Sequence, residues 1–315
     1  MKVRLGYVAI SKNLNITSSS MMTYSHYKKL GLKRALEKLH GIILSNFRDL
    51  EIILNYNIAN NIYFYRLTSS LIPLLTHPKV RININKYKLE FEHIGNIIKN
   101  NNMRVDTHPD QFCVINSINE AVVEASIKIL HSHQRIFKLL KYDGKMVIHV
   151  GSSVGGKKES MERFKANFNK LNIKLQQMII LENDDKVFNI SNVLKLCESL
   201  NIPMVLDYHH HKCNNTGQKI EDYIERIVST WGDDIPKMHF SSPKSKKEKR
   251  AHNDYIDVSS FITFIERIKF IDRDIDIMLE AKMKDKALYQ LVNDLKENTN
   301  YEFVNESTFI IKEKY

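Results

Sequence analysis

The chain has 315 residues, 43% of them hydrophobic, and a formal net charge of +11. That length and apolar content suit a single (β/α)₈ TIM-barrel domain over residues 1–315, which needs no metal or disulfide as a staple. The widely spaced Cys113, Cys197 and Cys213 exclude a disulfide framework or thiolate zinc site, and neither a signal-peptide core nor a bilayer-length apolar run is present, so a cytoplasmic protein without membrane or obligate protein partner is expected.

In chain order, strands are predicted near Val3–Ile10, Ile62–Leu67, Met103–Thr107, Met146–Val150, Met178–Leu181, Pro203–Asp207, Pro236–Phe240 and Asp276–Leu279. Helical patterns fill the intervals at Leu30–Asn57, Lys86–Asn100, Glu120–Lys141, Ser160–Gln177, Val187–Leu200, Lys219–Thr230, Ser259–Ile268 and Lys286–Glu297. The first helix rests on Leu36, Leu39, Ile43, Phe47, Leu50, Ile53 and Leu54, which recur at helical spacing. The strands are short and nearly all apolar, as strands covered on both faces are. Such alternation predicts an α/β barrel. The alternative is an open doubly wound sheet, but no G-x-G-x-x-G opens a helix after a strand.

Gly and Pro number only 10 and 6, and no linker divides the chain. Two βα loops are long: one through Ser69-Ser70-Leu71-Ile72-Pro73, the other from Ser241 to Asp257. Long βα loops lie on the functional face of a barrel. The second contains Lys244-Ser245-Lys246-Lys247-Glu248-Lys249-Arg250. Such a run is either a solvated loop or a contact for a polyanion, nucleic acid first.

The strand ends carry the chemistry. In order they read Thr107-His108, Ile148-His149-Val150, Leu181-Glu182-Asn183-Asp184, Leu206-Asp207-Tyr208-His209-His210-His211, Lys237-Met238-His239 and Leu279-Glu280-Ala281-Lys282. Each residue alone reads as a surface charge or a satisfied core histidine. Together they form a ring at one barrel mouth, with His252 nearby. Crowded, unpaired carboxylates there repel and resist desolvation. Divalent cations remove that cost. Imidazole with carboxylate suits Zn²⁺ or Mn²⁺, and the ligand count exceeds one site. Clustered ions on a basic protein point to phosphodiester hydrolysis in nucleic acid.

The segments Leu5-Gly6-Tyr7, Thr107-His108-Pro109-Asp110-Gln111-Phe112, Ile148-His149-Val150-Gly151, Leu181-Glu182-Asn183-Asp184, Leu206-Asp207-Tyr208-His209-His210, Pro236-Lys237-Met238-His239-Phe240-Ser241-Ser242, Ala251-His252-Asn253-Asp254-Tyr255 and Met278-Leu279-Glu280-Ala281-Lys282 keep one order along the chain. As a set they resemble the UV damage endonucleases, relatives of endonuclease IV. The resemblance implies cutting immediately 5′ of ultraviolet photoproducts in damaged double-stranded DNA, leaving a 3′-hydroxyl. It implies up to three divalent ions, often manganese, with zinc or magnesium as alternatives. Glu182, Asp207, His239 and Glu280 would hold a central ion, His108 and His149 with Glu182 a second, and His210 and His252 with Asp207 a third. Strand alternation alone would select His209 rather than His210. Glu182, Glu280 and Lys237 are the implied catalytic residues, Lys237 either as a carboxylated lysine or as a plain phosphate contact. Tyr7, Gln111 and Phe112 are the implied DNA contacts, the last two as a wedge filling the gap left by a flipped lesion, joined by Lys246, Lys247, Lys249 and Arg250. Without the resemblance, Phe112 reads as a core residue. The competing functions are a sugar isomerase or epimerase on a similar barrel, and a DNA-binding protein with a decayed site.

Overall fold

The computed structural model describes residues 1–110 and 112–312. Eight parallel strands close a barrel: β1 (Lys2–Val8), β2 (Phe64–Leu67), β3 (Arg104–Thr107), β4 (Lys145–His149), β5 (Ile179–Glu182), β6 (Met204–Asp207), β7 (Lys237–Phe240) and β8 (Ile275–Leu279). Each pairs with the next in chain order, and β8 returns to β1 along Val3–Tyr7 and Ile275–Leu279. The expected barrel is therefore present, with strand bounds shifted by a residue or two.

The seam between β1 and β2 was not legible in the sequence. These strands pair only over Gly6–Val8 and Phe64–Arg66. A Cβ on Gly6 would lie 2.3 Å from the Phe64 carbonyl oxygen, so the close approach requires glycine there. Below that point an antiparallel hairpin, β9 (Glu302–Asn305) and β10 (Thr308–Ile310), takes over the β1 edge, with Lys2, Val3 and Arg4 opposite Ile310, Phe309 and Thr308.

Helices cover the outside: α1 (Tyr24–Lys29), α2 (Leu32–Ala59), α3 (Lys88–Asn100), α4 (Glu120–Leu140), α5 (Lys157–Phe168), α6 (Ile173–Gln176), α7 (Ile190–Leu200), α8 (Tyr208–Cys213), α9 (Ile224–Ser229), α10 (Val258–Ile268) and α11 (Asp285–Asn298). The α2 stripe packs as predicted from Leu39 onward, but Ala35 replaces Leu36, which is exposed. The helix expected over 160–177 breaks into α5 and α6, because the Asn172 side chain caps a new start by accepting from the Leu175 amide. The short helices α1 and α8 were not predicted.

The barrel interior departs from the apolar expectation. Arg4, Arg66, Arg104, Asp106, Lys237 and Asp276 meet one another inside it. Arg4 and Arg104 both reach Asp276, at 2.6 and 2.7 Å, and Lys237 Nζ donates to Asp106 Oδ2 across the barrel at 2.5 Å. Outside, the strands alternate these residues with Val105, Met238 and Ile277, which pack against the helices.

Candidate metal centre

Above that ionic layer the strand ends converge. His149 and Glu182 are register neighbours on β4 and β5, as are Asp207 and His239 on β6 and β7. The Asn183 side chain pins β5 to β6, accepting from the Asp207 amide and donating to the Asp207 carbonyl, both at 2.9 Å. Glu280 follows β8 directly, its amide donating to Phe240 O.

Asp207 also ends β6 as a helix cap. Its Oδ1 accepts from the His210 amide at 2.7 Å, so α8 begins at Tyr208. Strand alternation therefore stops at Asp207. Three residues on, helical geometry returns His210 to the side of Asp207, with Nδ1 3.5 Å from Asp207 Oδ2 and 3.3 Å from Glu182 Oε1. His209 turns instead to the Arg250 carbonyl, and His211 packs near the Tyr208 ring.

Glu182 lies at the centre of the ring. Its Oε2 is 3.1 Å from His108 Nε2 and 3.7 Å from His149 Nε2, and its Oε1 is 3.0 Å from His239 Nδ1. His239 Nδ1 also faces Glu280 Oε1 at 3.4 Å and Asp207 Oδ2 at 4.0 Å. His252 Nδ1 lies 3.9 Å from Glu280 Oε2, and its ring centroid is 6.3 Å from that of His210.

The carboxylates do not titrate alike. Burial works to raise the Glu182 pKa, but His239, His149 and hydrogen bonds from His108 and His210 hold it well below the usual range. Burial raises Asp207 well above its usual range, and the charges of Glu182 and Glu280 add to this. Burial opposes protonation of His210, yet Asp207 and Glu182 push its pKa up to about 11. Burial takes His239 down to about 4. Two like carboxylates driven apart in this way mark an excess of buried negative charge.

The donor set fits divalent metal ions. Three overlapping groups, His108–His149–Glu182, Glu182–Asp207–His210 and Asp207–His239–Glu280, each bring ligand atoms within 4.8 Å of one another. Asp207 Oδ2 and His149 Nδ1 are buried without a hydrogen-bond partner among the described residues. Imidazole and carboxylate with no thiolate suit Zn²⁺ or Mn²⁺.

Other expected site residues divide. Phe112 is 71% exposed on the loop after β3, its amide donating to Asp110 Oδ1. Gln111 lies outside the described residues. Lys246, Lys247, Lys249 and Arg250 are exposed on a loop that folds back beside the centre, where Pro243 bridges to His252 and Lys244 donates to Ala251 O. Tyr7 is corrected: it is fully buried, and its hydroxyl donates to Asn57 Oδ1 at 2.6 Å, so it is a core residue rather than a DNA contact. Gly6 faces the seam, which leaves the next side chain on β1 to pack against Tyr65. Lys237 is fully buried one layer below the ring, paired with Asp106, and burial takes its pKa down to about 8. Arg66, missed in the sequence as a single cation in an apolar strand, reaches both Glu280 and His239.

A family profile described as UV-endonuclease UvdE matches residues 3–310. The chain belongs to that family. A UV DNA damage endonuclease of Bacillus cereus (strain B4264) is 37% identical over 301 residues, covering 94% of this chain and 95% of the relative. The solved structure of SacUVDE superposes with a TM-score of 0.85 at 34% identity, covering 94% of this chain and 99% of that one. Endonuclease IV from Thermus thermophilus shares the fold alone, with a TM-score of 0.57 at 14% identity over 93% of this chain and 99% of that one. UvdE membership supports the endonuclease reading over the isomerase alternative. No helix among the described residues is long and apolar enough to cross a membrane.

Proposed function

We propose that this chain is a DNA repair endonuclease that hydrolyses the phosphodiester immediately 5′ of ultraviolet photoproducts, leaving a 3′-hydroxyl. The observation that carries this reading is the mouth itself: three overlapping groups of ligand atoms in a chain of the UvdE family. The mouth would hold divalent ions, manganese first with zinc or magnesium as alternatives, and these would supply activation of water near neutral pH and charge neutralisation at the attacking and leaving oxygens. Glu182, Asp207, His239 and Glu280 would hold a central ion, His108 and His149 with Glu182 a second, and His210 and His252 with Asp207 a third. The chain's own contribution is to fix these donors on strand ends and to bind the duplex. Lys246, Lys247, Lys249 and Arg250 take phosphates beside the centre. Gln111 and Phe112 occupy the gap left when a photoproduct, which stacks and pairs poorly, is extruded at low cost. Lys237, whose pKa burial takes down to about 8 although Asp106 opposes the shift, would serve either as a carboxylated lysine or as a plain phosphate contact. The enzyme acts in the cytoplasm on damaged duplex DNA and requires no protein partner.

The test is a supercoiled plasmid, irradiated or not, incubated with the protein and manganese, with and without a chelator. Nicks confined to irradiated, manganese-supplied plasmid are expected. Equal cutting of undamaged plasmid removes the damage specificity, and undiminished cutting in chelator removes the metal centre.

A further inference from the structure

Arg66 joins the ring of ligands to the ionic layer beneath it. It is 6% exposed at the end of β2. Its Nη1 is 2.6 Å from Glu280 Oε1, its Nη2 2.7 Å from His239 Nε2, and its Nε 3.6 Å from Asp106 Oδ1. A guanidinium carries five donors and no acceptor, so His239 Nε2 must accept and the ring proton sits on Nδ1. That proton faces Glu182 Oε1 at 3.0 Å, among the carboxylates. Nδ1 is thus the His239 atom a cation would take. Coordination there moves the ring proton to Nε2, where it meets Arg66 Nη2, donor against donor. An ion on Nδ1 and Arg66 on Nε2 are mutually exclusive partners of one imidazole. Asp106 offers the guanidinium another partner, since Asp106 Oδ1 and Arg66 Nε are both buried without a hydrogen bond among the described residues.

We propose that Arg66 is a positioning residue that serves as the centre's own counter-cation: it holds Glu280 and His239 in place without an ion, yields toward Asp106 when one binds at Nδ1, and so weakens ion binding while stabilising the metal-free barrel. The proposal rests on the metal-centre reading above. Ordinarily the second nitrogen of a metal-bound histidine donates to a carboxylate or carbonyl, which strengthens the ligand. A guanidinium at that nitrogen does the reverse. Arg66 also neutralises part of the charge of Glu280, which would otherwise attract the ion.

The test compares melting temperatures of wild type, Arg66→Met and Arg66→Lys after chelation and during titration with manganese chloride. Chelated Arg66→Met should melt well below wild type, and manganese should restore most of the difference. The manganese concentration giving half the maximal rise should fall by at least about tenfold, or about 1.4 kcal/mol of tighter binding. Arg66→Lys keeps the charge but loses the paired donors, and should fall between. The same deficit with and without manganese makes Arg66 an ordinary packing residue and overturns the proposal, as does an unchanged half-saturating concentration. If Arg66→Met does not fold even with manganese, Arg66→Lys decides, and a deficit that manganese leaves untouched overturns the proposal. No manganese shift in wild type overturns the metal reading and this inference together, whereas equal, non-zero shifts in wild type and variant remove only the role of Arg66.

Discussion

Glu182 reaches four histidines, His108, His149, His210 and His239, all within 3.7 Å. Among the described residues no other carboxylate reaches so much of the ring, so its loss as a ligand should be felt in more than one ion site. Glu182→Gln keeps the shape and much of the hydrogen bonding but is a poor ligand for a hard cation. Incision should drop by more than about a hundredfold, the upper end of what losing an outer partner alone does, while binding of irradiated duplex is retained. A near-normal incision rate would contradict the bridging role. Phe112 tests substrate recognition in the same way. A ring that is 71% exposed contributes little to the core, so Phe112→Ala should leave the melting temperature nearly unchanged. It should reduce incision of dimer-containing DNA at least about tenfold, equivalent to roughly 1.4 kcal/mol of lost stacking. A large melting loss, or full activity, would each remove the wedge assignment.

Among the elements, those with a clear period were legible and those without one were not. The eight strands and long helices carry apolar runs or stripes that burial enforces, so their order could be read directly. The short helix α8 could not. Asp207-Tyr208-His209-His210 looks like a strand continuing, and only the cap on the His210 amide shows that it has stopped. That hydrogen bond brings His210, rather than His209, to the side of Asp207 and Glu182. Arg66 and the interior charges were hidden for a related reason: Arg66 is the one charge in its four-residue strand and carries no period, and the partners of all these charges lie on strands far away in sequence. The basic loop was legible as charge but not as position. It folds beside His252, with Arg250 Nε 3.4 Å from Asp185. Neutralising Lys246, Lys247, Lys249 and Arg250 together should flatten the salt dependence of DNA binding. Since Arg250 already has an acidic neighbour, the log–log slope should fall by roughly three units rather than four. An unchanged slope would mean that the loop is only solvated.

At the scale of the whole barrel, the question is whether the buried charges below the mouth serve the reaction or only the fold. Lys237 and Asp106 come from opposite sides of the barrel and meet at 2.5 Å with almost no exposure. Removing one member of such a pair strands the other. Lys237→Met should therefore destabilise the protein, though by less than the about 3–5 kcal/mol of a fully stranded buried charge, because Arg66 Nε still faces Asp106 Oδ1 at 3.6 Å. Replacing both is different, since apolar side chains of similar volume need no compensation and often restore stability. Lys237→Met with Asp106→Leu should thus melt near wild type. Arg66 would then keep Glu280 at 2.6 Å but lose the partner toward which it yields, so manganese saturation has to be established for the double variant itself before incision is compared. The double variant separates structure from chemistry, since both roles predict the same loss for Lys237→Met alone. If Lys237 takes part in incision, as a carboxylated lysine or otherwise, the stable double variant stays inactive on irradiated plasmid at saturating manganese. If the pair only closes the barrel, incision returns with the melting temperature. Incision rate and melting temperature measured on the same preparations decide between them, and recovery of both would confine Lys237 to the ionic layer that supports the mouth.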